Sequence, residues 1–162
     1  MVKEKVMLSA CLAGVNCVYD GSHKKHRVFE AMAQSGDVLL FCPEVLGGLK
    51  IPHPPSEIID GDGSTVLRGD GRVVSRDGQD VTVFFLKGAQ KALALAKKRG
   101  IKMAVMKARS PSCGCGEVYD GTFSRKLVEG FGVTAALLKE NGIEVMSDEE
   151  YLRGMKDDEH GT

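Results

Sequence analysis

Three apolar runs of strand length each lead into a cysteine. Val6-Met7-Leu8-Ser9-Ala10 meets Cys11, and Val38-Leu39-Leu40-Phe41 meets Cys42. Ile101-Lys102-Met103-Ala104-Val105-Met106 breaks into a Ser-Pro-Ser loop that reaches Cys113. The second run has neither charge nor alternation, as expected of a strand covered on both faces. Helical patterns separate the runs, and strands alternating with helices give an α/β fold with a parallel sheet and right-handed crossovers. In such a sheet the carboxyl ends of the strands lie side by side and form the ligand crevice. Three thiols far apart in sequence are therefore expected at one place. The expected architecture is a single-domain, open, mainly parallel Rossmann-like sheet. It has helices on both faces and a small β-hairpin insertion, spans residues 1–156, and leaves 157–162 as a flexible tail.

The remaining pattern fills in this plan. Strands are expected over 5–11, 38–42, 101–106 and 143–146. A helix over 24–34, capped by Ser22, would bury Val28, Phe29, Met32 and Ala33. A longer one, over 80–99 behind an Asp80 cap, carries Phe85, Gly88, Ala92 and Ala96 at helical spacing. Another covers 132–140 and stops at Asn141-Gly142. Ser147-Asp148-Glu149-Glu150 opens a short last helix with a capping-box pattern. Between Pro43 and Gln79 the texture changes, and four of the five prolines fall there. That length is too great for a plain connection. Residues 64–67 and 72–75, around Gly69-Asp70-Gly71, read as a hairpin beside the crevice.

Lys plus Arg and Asp plus Glu both number 22, so the chain has no formal net charge. This argues against a nucleic-acid or membrane-surface partner. Five cysteines, an odd number without secretory spacing, point to reduced thiols in the cytoplasm. Leu8-Ser9-Ala10-Cys11 mimics a lipoprotein cleavage site, but the apolar run before it is shorter than the roughly 7–15 residues an export signal needs. No run approaches the ~18 apolar residues of a membrane span.

Taken singly, Cys11 and Cys42 could be ordinary buried small side chains. Cys17, Cys113 and Cys115 lie among Gly, Asn and Ser, where nothing apolar recommends a thiol. Thiolates gathered at strand ends suit zinc or an iron–sulfur cluster, and no zinc-knuckle CxxC spacing is present. Glu44 follows Cys42 by two residues and would reach the same crevice as a general acid or base. Ser110 and Ser112 could donate to a substrate or to cluster sulfides. Asp20 and Asp120, each in a Tyr-Asp-Gly sequence, are expected to brace their own turns.

The ordered set Cys11-Leu12-Ala13-Gly14, Cys17-Val18-Tyr19-Asp20-Gly21, Cys42-Pro43-Glu44, Ser110-Pro111-Ser112-Cys113-Gly114 and Tyr119-Asp120-Gly121-Thr122-Phe123 resembles the thiouracil desulfidase family. The likeness runs over about residues 5–152. It implies a 4Fe–4S cluster on three cysteines, with one iron left open for substrate sulfur. By motif the ligands would be Cys11, Cys42 and Cys113, the catalytic pair Glu44 and Ser110, and the substrate-contacting positions Ser112 and Gly114. Cys17 also belongs to the pattern, and Val18 stands where the family usually has Arg. The implied reaction replaces the thiocarbonyl sulfur of a small thiolated nucleobase or nucleoside by oxygen, releasing hydrogen sulfide. Two other readings are a zinc-bearing α/β protein, hydrolytic or structural, and a non-enzymatic sulfur or cluster carrier.

Overall fold

The structure is a computed structural model that describes residues 5–160. β1 (Val6–Ser9) passes through a 3-10 turn (Ala10–Ala13) towards α1 (Arg27–Gln34) and β2 (Val38–Phe41). After α2 (Pro43–Leu46) come β3 (Ser56–Ile59), α3 (Gly63–Leu67) and β4 (Arg72–Ser75). α4 (Thr82–Arg99) then leads to β5 (Met103–Met106), and β6 (Cys115–Tyr119) precedes β7 (Leu127–Phe131). α5 (Val133–Glu140), β8 (Glu144–Ser147) and α6 (Asp148–His160) complete the chain.

The parallel sheet runs β2-β1-β5-β8, with Met7 beside Leu39 and Ala104, and Val105 beside Met146. Side chains alternate across it as the strand period requires. Met7, Ala104 and Met106 pack with Ala92 and Ala96 of α4 and with Ala135 and Leu138 of α5. Leu8 and Val105 point the other way, onto Phe29 of α1 and against Tyr151 and Leu152 of α6. Both faces of the central strands are thus covered, whereas β2, expected to be covered on both faces, lies at the sheet edge and leaves Leu40 exposed. Among the described residues, no helix is long and apolar enough to cross a membrane.

The insertion differs from the sequence reading. β4 does pair, but with β3, Ser56 opposite Ser75 and Ile59 opposite Arg72. Residues 64–67 form a helix instead of a strand. Asp62 caps it, its Oδ1 accepting from the Ser64 and Thr65 amides while the Asp62 N–H donates to Thr65 Oγ1. This reciprocal cap outweighs the strand preference of a short Thr-Val-Leu run. Ile58, Val66 and Val73 close a third core with Phe85 and Ala89 of α4 and with Val133. A second hairpin, β6 with β7, was not foreseen.

Two boundaries also move. α1 starts at Arg27, capped by the His26 ring, whose Nδ1 accepts from Val28 N–H. Ser22 instead serves the Asp20 turn, where its own N–H donates to Asp20 Oδ1 at 3.0 Å. α6 continues to His160, where a flexible tail was expected, and Gly161 and Thr162 lie outside the described residues.

Two glycines set where α2 sits. A Cβ at Gly88 would stand 2.0 Å from Pro43 O, and one at Gly47 would stand 1.9 Å from Phe84 O. The two helices therefore touch backbone to backbone. The contact carries Cys42 and Glu44 with it.

Candidate active site

Successive crossovers leave β1 towards β2 on one side and towards β5 on the other, so the order reverses between β1 and β5. The crevice at such a reversal is where open α/β sheets bind ligands. Ser9 joins the two strand ends. Its hydroxyl accepts from Lys107 N–H at 3.0 Å and donates to Cys113 Sγ at 3.4 Å. A cavity of about 520 Å³ opens here, lined by Cys11, Cys17, Cys42, Cys113, Glu44, Ser110 and Ser112. The sequence reading placed Cys11, Cys42, Cys113 and Glu44 at one crevice, which they share, and Cys17 joins them there.

Cys11 lies in the 3-10 turn after β1, and Cys42 is the N-cap of α2. The loop carrying Cys113 is latched to the start of α5. The free amides of the first turn of α5 donate to loop carbonyls, Val133 to Pro111 at 2.8 Å and Thr134 to Ser112 at 2.9 Å. Gly132 N–H adds a bond to Gly114 O at 2.8 Å. On the other side, Ala108 N–H donates to Asp148 Oδ1, and Arg109 forms a two-point ion pair with Glu149.

Within the loop the hydroxyls acquire a direction. Ser110 Oγ accepts from both Ser112 N–H and Cys113 N–H at 3.1 Å. With two donors pointing into it, its own hydrogen goes to Ser112 Oγ, 2.9 Å away. Ser112 in turn donates to Glu44 Oε2 at 3.0 Å. A hydrogen-bonded chain therefore runs from Ser110 through Ser112 to Glu44. The other carboxylate oxygen, Oε1, lies 3.1 Å from His53 Nε2.

The thiols crowd one another. Cys17 stands in hydrogen-bonding contact with both Cys11 and Cys42, and its pKa is pushed up to about 12, chiefly by Cys11. Cys42 is raised by Cys17 and then by burial, with the Glu44 charge adding to it. Burial takes Cys113 up to about 12 despite the opposing Ser9 and Ser112 hydroxyls. Three neighbouring thiols that resist ionising separately, Cys17, Cys42 and Cys113, are what an electron-poor metal centre would relieve. Among the described residues no group of three or more His, Cys, Asp or Glu could hold a metal ion. An inorganic cluster spaces its thiolates more widely than one ion does, so this all-sulfur donor set fits an iron–sulfur cluster better than zinc.

Two positions fall elsewhere. Gly114 does not line the cavity. A Cβ there would meet Ser110 O at 2.8 Å and Val118 Cγ1 at 2.8 Å, so this glycine serves the tight packing of the loop. Cys115 is buried in the core under α4 and α5, and its thiol donates to Cys113 O.

Other groups escaped the sequence reading. Ser9 was read as part of an apolar strand. Glu57, nearly buried, accepts from Gly121 N–H and Phe123 N–H and so shapes the far wall. In that wall Phe123 and Arg125 adopt left-handed backbone angles, φ 56° and 64°, and Arg76 lies over the Phe123 ring at 5.7 Å. Tyr19, Tyr119 and Phe123 offer aromatic faces to the cavity, and Lys24, Lys107 and Arg125 line it with positive charge. Asp20 and Asp120 brace their turns as expected, each accepting from the amide two residues on.

A family model described as 2-thiouracil desulfurase matches residues 6–150. The uncharacterized protein YbbK of Bacillus subtilis (strain 168) is 43% identical over 145 residues, which is 90% of this chain and 96% of that protein. Among solved structures, the 4Fe–4S-dependent thiouracil desulfidase TudS superposes with a TM-score of 0.79 at 42% identity. The match covers 91% of this chain and 93% of the other.

Proposed function

The chain belongs to the 2-thiouracil desulfurase family, and from that premise we propose how its crevice works. The protein is an iron–sulfur-dependent desulfidase of thiouracil type, carrying a 4Fe–4S cluster. The net reaction is C=S plus water giving C=O plus hydrogen sulfide, with no change of oxidation state.

Cys11, Cys42 and Cys113 would hold the cluster, one thiol from each of three strand ends, leaving one iron without a protein ligand. When bound, the cluster supplies a sulfur-seeking Lewis acid. The chain's own groups do the rest. Glu44 takes the proton of the incoming water at Oε2 or returns one to a ring nitrogen, and Ser112 fixes the direction of that oxygen. Ser110, held by two amides, spends its one hydrogen on Ser112 and so acts with Glu44 through Ser112, fixing the direction in which that hydroxyl donates. Tyr19, Tyr119 and Phe123 provide flat faces for a pyrimidine, and a cavity of about 520 Å³ accepts a small thiolated base or nucleoside. All five cysteines are free, which suits the reducing cytoplasm.

The single observation that carries this mechanism is the Ser110–Ser112–Glu44 chain closing beside Cys42 and Cys113. Anaerobically purified protein supplied with 2- or 4-thiouracil should be brown and should release hydrogen sulfide and uracil over many turnovers. Release of no more than one sulfide per chain would instead mark a sulfur carrier.

A further inference from the structure

Glu44 has a partner to which the mechanism above assigns no part. His53 lies in the segment between α2 and β3, its side chain only 9% exposed against 18% for Glu44. Ring Nδ1 is 2.8 Å from Pro54 O. A carbonyl oxygen only accepts, so Nδ1 carries a hydrogen in every protonation state. The other nitrogen then faces Glu44 Oε1 at 3.1 Å. Nε2 is buried and makes no aligned hydrogen bond, so the contact is an ion pair by distance, and a protonated ring removes the repulsion that a bare nitrogen lone pair would meet from a carboxylate oxygen. Oε2 meanwhile accepts the Ser112 hydroxyl, so each carboxylate oxygen has its own partner. The Glu44 carboxylate accordingly raises the His53 pKa, with burial opposing it. The groups facing the ring are Glu44 and Tyr19. The Tyr19 ring centroid lies 6.4 Å away, and its carbonyl accepts the His53 backbone N–H at 2.7 Å.

We propose that His53 is a positioning residue for desulfidation, an imidazolium that fixes the Glu44 carboxylate by Oε1 so that Oε2 is turned to Ser112 and the thiol cavity. The inference rests on the role given to Glu44 above. His53 does not line the cavity and acts only through that carboxylate. Its anchor on Pro54 O holds the ring still, much as an outer-shell partner orients a ligating side chain.

The test is steady-state turnover of 4-thiouracil by the cluster-loaded protein as a function of pH, for wild type, His53→Ala, His53→Arg, Glu44→Gln and the Ala/Gln double variant. His53→Ala should lose about 10–100-fold in kcat, the scale of outer-shell partners, with KM little changed. His53→Arg keeps a cation on Oε1 and should recover most of the rate. It should also lack the alkaline fall in kcat that wild type shows as the imidazolium deprotonates. The double variant should be no slower than Glu44→Gln alone. Histidine-ring 15N spectra give a readout apart from turnover: at neutral pH both His53 nitrogens should be protonated in wild type, and only Nδ1 in Glu44→Gln. Wild-type kinetics in His53→Ala, or an Arg variant as slow as the Ala variant, would overturn the proposal. Full activity in Glu44→Gln would instead remove the role of Glu44 itself, a different failure that the same data set separates.

Discussion

Cys17 touches Cys11 and Cys42, yet it is the one thiol of the cavity assigned no iron. Cys17→Ser should therefore retain iron and acid-labile sulfide, while Cys11→Ser, Cys42→Ser and Cys113→Ser should each lose them when assayed on anaerobic protein. Glu44→Gln should keep the cluster absorbance and lose about 10²–10⁴ in kcat, the usual worth of a general acid–base group. The thiols, Glu44 and the two serines were legible because each interrupts or follows an apolar run in a way no core needs. Ser9 was not, since one small hydroxyl inside Val-Met-Leu-Ser-Ala gives no sign that it will bridge two strand ends. His53 and Glu57 were hidden for another reason. Their contacts with Glu44 and with the 121–123 amides are made by two loops, the one between α2 and β3 and the one between β6 and β7, which leave no periodic trace. Gly114 is a different case, since it does not line the cavity. The family motif alone offered it as a substrate contact, and the lack of a side chain there admits Ser110 O and Val118.

Helices place these side chains through close contacts at their ends. α2 and α4 meet at Gly47 and Gly88, so Gly88→Ala must push Pro43 aside and move Cys42 and Glu44 with it. It should cost about 1–3 kcal/mol in chemical denaturation, the range of overpacked sites, and should lower iron retention in the purified protein. The loop before Cys113 is tied at its other end to α6 by Arg109 and Glu149. Arg109 holds the Glu149 pKa below the usual carboxylate range. A depressed folded value means that this contribution is present above the ordinary carboxylate pKa and is lost as pH falls through the depressed one. Glu149→Gln should thus flatten the acid side of the stability curve, a difference visible in thermal melts between neutral and acidic buffer. Element types were readable wherever apolar period and length agreed, as in α4, α5 and the four sheet strands. Where a run was short, a local cap decided. Asp62 made α3 out of a stretch whose Thr-Val-Leu favoured a strand.

At the level of the whole molecule, the β2-β1-β5-β8 arrangement puts the reversal of strand order under the cysteines, so fold and chemistry have one origin. The crevice lies between cores, with the sheet's two packed faces below it and the β3–β4 and β6–β7 hairpins beside it. A cluster bound only by the folded chain stabilises it by mass action, about 4 kcal/mol at a thousandfold excess over Kd. Stripping it anaerobically with a chelator should therefore lower Tm, by about 2–4 °C for each kcal/mol lost in a chain of this size. The parallel sheet and its strand-end site follow from the apolar runs alone. The two hairpins that wall the cavity do not, because their pairing joins segments separated by loops of no fixed pattern. The most direct measurement is anomalous scattering at the iron edge from crystals of anaerobically prepared protein. The account predicts one iron cluster in the cavity between Cys11, Cys42 and Cys113, its iron lacking a protein ligand turned towards Glu44. Iron located elsewhere, or Cys17 bound as a fourth ligand, would contradict it.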